Sequence, residues 1–241
     1  MTKFRQITFF LLLVGCAHQK NEQVISHGEQ QVVAMLQARP QMSAYLDQNN
    51  KSHEITTNDE IWKWLASRFD GSGFGKPIKW SPDIPISSDK CFFANHSYIK
   101  NYIKVAINYP CGLSKGKKLP FDYLWRLATF ELLNIEGASE FAQIQNDALA
   151  CKLNKEDYVR RNLLIEYAAL VKQINFYKNV WRPWVFKKSV KSDDRYWRSE
   201  IEPFDEWLER LKKSMIPNGL VHWRSFYDRE LMANNNCSKW K

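Results

Sequence analysis

The stretch Ala128–Phe141, ATFELLNIEGASEF, lies near the middle of the chain, and its reading decides how everything around it is understood. Just upstream, Pro120 and Asp122 suit a first helical turn, because proline forfeits no hydrogen bond there and an acid complements the helix dipole. The pattern predicts a helix from 120 to about Ile135, with Leu124, Leu127, Ala128 and Ile135 on one apolar face. Glu131 falls on that same face. A carboxylate so placed is expected to be at least partly buried, and desolvation would raise its pKa.

Working outward, the downstream half reads as helical throughout. A second helix is expected from about Ala138 to Cys151, and a third from the Asn154 cap, with Asp157 three residues on, to about Tyr177. The third carries Glu166 inside an apolar stripe of Val159, Leu163, Tyr167, Leu170, Ile174 and Tyr177. Pro183, in VWRPW, is expected to end that region, and helices near 204–215 and 220–232 follow, separated by IPNG. Upstream, residues 29–38 and 58–69 read as two short helices, the first stopped by Pro40. The glycines of DGSGFGKPIKW lead into Pro77 and a strand, not into a helix opening with Lys-Ser/Thr, so the segment is a turn and no phosphate cradle. From Ile78 to Pro110 the pattern is extended, and Tyr102–Tyr109 alternates as a strand. The expected class is α+β and predominantly helical, with a small sheet at about 76–110, two short helices before it and a five-helix C-terminal half.

The spacing around Glu131 resembles the zinc-binding helix of metallopeptidases, His-Glu-x-x-His, in which two histidines one turn apart hold the metal and the glutamate is general base. Here those positions read Phe130, Glu131 and Asn134. Phenylalanine cannot ligate a metal and asparagine is a poor zinc ligand, so neither zinc nor another cofactor is expected. The resemblance covers roughly residues 75–170 and implies a zincin-like plan: a sheet, then the site helix, then a downstream helix supplying a further carboxylate, here Glu166. LPFDYLWRLATFELLNI and FYKNVWRPW are also similar to a group of uncharacterised bacterial exported proteins, a likeness that implies no activity.

Location is read from the N-terminus. Lys3 and Arg5 precede an apolar run from Ile7 to Val14, the pattern of a secretory signal and too short to span a membrane. Leu13-Val14-Gly15-Cys16 resembles the bacterial lipobox, which implies removal of residues 1–15 and acylation of Cys16. Ala17 after that cysteine implies, by the same resemblance and for a Gram-negative source, the outer membrane, facing the periplasm or the cell surface. Residues 16–27 then read as a lipidated tether and 28–241 as one globular domain. Removing the signal takes two positive charges from a formal +9. A basic exported chain meets anionic lipid or wall polymer rather than nucleic acid.

Beyond Cys16, four cysteines remain: Cys91, Cys111, Cys151 and Cys237. In an oxidising compartment they are expected to pair, Cys91 with Cys111 and Cys151 with Cys237 being preferred among three arrangements. A zinc site is the alternative, and the lack of any C-x-x-C weighs against it. His53, His96 and His222 show no ligand spacing and read as surface or packing residues. Trp181, Arg182, Trp184, Lys187 and Lys188 mix aromatic and basic character, which suits an anionic glycan or lipid headgroup, or else a solvated loop.

Three roles are therefore open. The first is a lipid-anchored envelope protein that binds or supports a partner without catalysis, Glu131 being paired with Asn134 or with an arginine such as Arg126 or Arg160. The second is a hydrolase of wall or other glycan using Glu131 and Glu166. The third is a module binding anionic polymer through residues 181–191.

Overall fold

A computed structural model describes residues 26–71, 78–81, 93–97, 102–110, 112–214 and 219–232. Helix α1 (His27–Ala38) opens with a reciprocal cap: the Ser26 hydroxyl accepts from the Glu29 amide at 3.1 Å, and the Glu29 carboxylate accepts from the Ser26 amide at 3.0 Å. Each bond satisfies a backbone or side-chain group that helix geometry would otherwise strand. It packs against α2 (Glu60–Gly71), whose Asp70 takes the Gly28 amide at 2.6 Å and the Ser26 hydroxyl at 3.0 Å.

Between these helices lies an antiparallel hairpin that the sequence pattern did not reveal, β1 (Ala44–Leu46) with β2 (Ser52–Glu54), Tyr45 opposite His53. Strands this short show no alternation, and a side chain organises the turn instead. Asp47 accepts from the amides of Asn49 at 2.8 Å and Lys51 at 2.9 Å and meets His53 Nε2 at 2.9 Å.

The expected small sheet is present. β3 (Lys79–Ser81), β4 (Ala94–Ser97) and β5 (Tyr102–Val105) are ordered β3-β5-β4, with β3 parallel and β4 antiparallel to the central strand. β5 stops at Val105, short of the expected Tyr109, because the chain turns there: the Leu119 amide bonds the Ile107 carbonyl and Asn108 pairs with Lys118. Ile103 and Val105 are buried beneath α3 (Phe121–Glu136).

After α3 come α4 (Ala138–Leu149) and the long α5 (Lys155–Phe176), capped by Asn154 as expected. Pro183 does not end the helical region. The chain passes through a π turn at Tyr177–Trp181 into α6 (Arg182–Lys187), where proline occupies the first turn and its missing N–H is not needed. α7 (Phe204–Lys213) and α8 (Gly219–Phe226) complete the helices, so α6 is an addition to the five expected. None of the described helices is long and apolar enough to cross a membrane.

Two apolar clusters result. The first joins α1, α2, the sheet, α3 and α6 around Trp125, Trp181 and Trp184; the second joins α4, α5, α7 and α8 around Phe141, Leu163 and Trp223. α5 serves both, giving Phe176 to the first and Tyr158, Val159 and Leu163 to the second.

The α1–α2 crossing depends on one missing side chain. A Cβ at Gly28 would lie 2.0 Å from the Ala66 carbonyl oxygen, a backbone atom that cannot step aside. Gly28→Ala is expected to lower unfolding free energy by about 1–3 kcal/mol, the usual range for overpacking. Chemical denaturation checks this, and an unchanged midpoint would show that the two helices are not held at this spacing.

Candidate functional site

Glu131 meets a partner that sequence reasoning passed over. Alternation along β4 turns His96 toward α3, and its Nδ1 lies 2.6 Å from Glu131 Oε2. The two side chains are 13 % and 9 % exposed, so the pair is shielded from water. The helical face that carries Glu131 has Leu124, Ala128 and Ile135 buried, as expected, while Leu127 is only half-buried. Its partner differs from those expected. Arg160 is bonded at the surface to Asp205 at 2.8 Å, Arg126 lies over the ring of Tyr123, and Asn134, although buried, has an Oδ1 without a hydrogen-bond partner among the described residues. His96 therefore is neither a surface nor a simple packing residue. Its signal was the extended pattern around it, but nothing in one strand says what the facing helix offers.

Glu166 joins the pair from α5. Trp223 of α8 donates its Nε1–H to Glu166 Oε1 at 2.8 Å, and a Cβ on Gly219 would fall 2.4 Å from Oε2, so a side chain there would displace the carboxylate. The side chain as a whole keeps some solvent contact, whereas its carboxylate end is enclosed by α8. Phe141 forms the apolar wall, stacked on Trp223 at 5.3 Å with its centroid 6.0 Å from the His96 ring.

These surroundings set the proton affinities. Burial pushes Glu166 from an ordinary 4.5 up to about 7, and neighbouring Glu131 adds to the rise while Trp223 and His96 oppose it. For His96, burial acts to lower the pKa, but the bond and charge of Glu131, with the Glu166 charge behind them, outweigh it and leave the imidazole raised. The arrangement favours an imidazolium against the Glu131 carboxylate, with Glu166 able to hold or release a proton near neutrality. Among the described residues no group of three or more His, Cys, Asp or Glu side chains is disposed to hold a metal ion.

The aromatic-basic segment divides. Trp181 and Trp184 are 0 % and 1 % exposed, which corrects the expectation that their rings face a ligand. Trp184 donates to Asp59 Oδ1 at 2.9 Å, Lys188 lies 3.0 Å from the same oxygen, and Lys187 is 2.5 Å from Glu60. Arg182 is exposed. Helical periodicity separates these residues, so neighbours in sequence point to core and solvent in turn. Of the cysteines only Cys151, just after α4, is described, while Cys16, Cys91, Cys111 and Cys237 lie outside the described residues.

Comparison with known protein families, with curated proteins and with solved structures found no match to this chain.

The proton affinities make a pH prediction. Glu166 and His96 both bind protons more tightly folded than unfolded, so their contribution to stability is complete below the unfolded pKa and is lost as pH rises. For Glu166 the loss runs from 4.5 to about 7, and His96 extends it above 6.5. Asp122, also raised by burial, acts with the same sign, so a variant must isolate the site. The melting temperature is expected to fall between pH 5 and 8, and Glu166→Gln is expected to flatten that slope. Equal slopes in the two proteins would remove Glu166 from the account.

Proposed function

We propose that this is a lipid-anchored cell-envelope protein whose folded domain is a non-catalytic binding or structural module with a metal-free, zincin-like helix. The observation supporting it is the commitment of the Glu131 carboxylate to His96 in a shielded 2.6 Å contact. A general base needs a free lone pair aimed at a substrate proton, and a carboxylate locked to an internal cation has given up that position. The order of β4, β5, α3 and then Glu166 on α5 suits a zincin-like plan, and Phe130 and Asn134 where histidines would stand account for its metal-free character. Acylated Cys16 anchors the chain to the membrane, disulfides join Cys91 with Cys111 and Cys151 with Cys237, and the partner is an envelope protein or an anionic glycan.

Three experiments test this reading. Cys16→Ala should shift the chain from the membrane fraction to a soluble or unprocessed form, and intact mass showing no acyl group on the wild-type cysteine would refute the anchor. Glu131→Gln leaves His96 without its counter-charge and should cost on the order of 3–5 kcal/mol of stability. Unchanged stability would mean that the pair does not carry the structure. Metal analysis of the purified chain should find no stoichiometric zinc.

A second reading, a glycan hydrolase using Glu131 and Glu166, draws support from a Glu166 pKa of about 7, which suits a general acid. It requires that Glu166→Gln abolish release of soluble fragments from cell-wall material while the melting temperature barely moves. The third, anionic-polymer binding through Arg182, Lys187 and Lys188, is weakened by the burial of Trp181 and Trp184 and by the carboxylates that already hold both lysines. Salt-sensitive retention on an anionic glycan would revive it.

A further inference from the structure

Between β5 and α3 the chain makes a short basic turn, and residues 112–118 are exposed apart from half-buried Ser114. Backbone hydrogen bonds fix its shape. At the base the Gly116 amide donates to the Tyr109 carbonyl at 2.9 Å and the Tyr109 amide to the Lys117 carbonyl at 2.8 Å; across the tip the Lys115 amide donates to the Gly112 carbonyl at 3.1 Å and the Lys117 amide to the Ser114 carbonyl at 2.9 Å. Gly112 and Gly116 have φ of 76° and 83°, left-handed conformations that a residue with a Cβ adopts only under strain. Tyr109 seats the turn on the first apolar cluster, its ring edge-on to Phe93 at 6.1 Å and 6.4 Å from Tyr123 of α3.

This fixed turn presents Leu113, fully exposed, beside the exposed Lys115, Lys117 and Lys118. None of the three lysines has an ion pair among the described residues, and positions 107–119 contain no aspartate or glutamate. A single exposed leucine is ordinary on a protein surface. Leu113 differs in standing on a hydrogen-bonded turn among cations that no carboxylate answers. Phe186 of α6 makes the contrast: it is exposed too, but Lys187 beside it is 2.5 Å from Glu60 and Lys188 is 3.0 Å from Asp59, so the positive charge there is already neutralised within the fold.

We propose that residues 112–118 dock on the surface of an anionic lipid bilayer, Leu113 entering the boundary between headgroups and acyl chains while Lys115, Lys117 and Lys118 lie among the lipid phosphates. Transfer of the leucine side chain out of water favours insertion, and the long lysine stems let the ammonium groups stay at headgroup level. A soluble or wall-bound polyanion would satisfy the lysines equally and leave the leucine in water, so the leucine selects the bilayer. Each lysine close to an anionic leaflet strengthens binding by about fivefold, which makes the contact by itself weak and reversible. In a chain anchored at Cys16, a point that rests on the reading above, the turn fixes which face of the domain meets the membrane.

Vesicle flotation tests the contact, using the full chain with Cys16→Ala so that acylation, and with it the fate of the anchored reading, does not enter the result. The vesicles are phosphatidylcholine alone or phosphatidylcholine with phosphatidylglycerol in equal parts, and any contribution of residues 1–15 is common to every sample. Binding to the anionic vesicles should be tighter by about tenfold or more and should weaken as salt is raised. Lys115→Gln, Lys117→Gln and Lys118→Gln combined should remove that preference, and Leu113→Ser should weaken anionic binding by about fivefold. Phe186→Ser should leave it unchanged. All these positions are exposed, and circular dichroism checks that the variants fold. No preference for the anionic vesicles, or one that the lysine changes leave intact, overturns the proposal. Loss on the lysine changes with none on Leu113→Ser makes the turn a general polyanion patch and also overturns it, as does a loss on Phe186→Ser equal to that on Leu113→Ser.

Discussion

The contact between His96 and Glu131 is the constraint on which the described fold turns, because it joins a strand to a helix through charges that have left water. An unpaired carboxylate at that depth would cost several kcal/mol, so the strand and the helix must sit where the pair can form. Glu166 and Trp223 extend the same network to α5 and α8, on the side of the second apolar cluster. One polar knot therefore sets β4 and α3 against α5 and α8 at a single separation, which apolar packing, being non-directional, does less sharply.

A second buried acid plays a comparable part at the other end. Asp59 accepts the amide and hydroxyl of Thr56 before α2 and the indole of Trp184, with the Lys188 ammonium beside the same oxygen as the indole. Its carboxyl is held low: burial alone would raise it, but four hydrogen bonds together outweigh that cost. Through it α6 is tied to α2 across a long stretch of sequence, and Trp184 becomes a core residue in a segment rich in lysine. Tyr45 of the hairpin lies edge-on to Trp184 at 5.1 Å, so the hairpin is drawn into the same corner.

These knots also divide the chain's basic character into two kinds. Lys187 and Lys188 are paired with acids and belong to the fold's own electrostatics. Arg126, half-buried over the Tyr123 ring, has no ion pair among the described residues. A net charge counted from sequence cannot make that distinction, since only geometry tells which cations have carboxylates within reach.

The sequence by itself determined the parts governed by local periodicity and local chemistry. The α1 stop at Pro40, the Asn154 cap, the helix through ATFELLNIE with Glu131 on its apolar face, and the small sheet before it were all legible, because helical and strand spacing repeat within a few residues. Pro183 misled because a proline breaks a helix interior yet fits a first turn, and the π turn that creates that first turn is not written in composition. The hairpin at 44–54 was too short to show a period. Tertiary structure alone decided that His96 faces Glu131, that Trp223 reaches Glu166 across Gly219, and that Trp181 and Trp184 lie in the core while the cations beside them do not. Each of these joins residues far apart in sequence, and the energy of a buried charge or ring depends on what stands opposite it, which only the folded chain supplies.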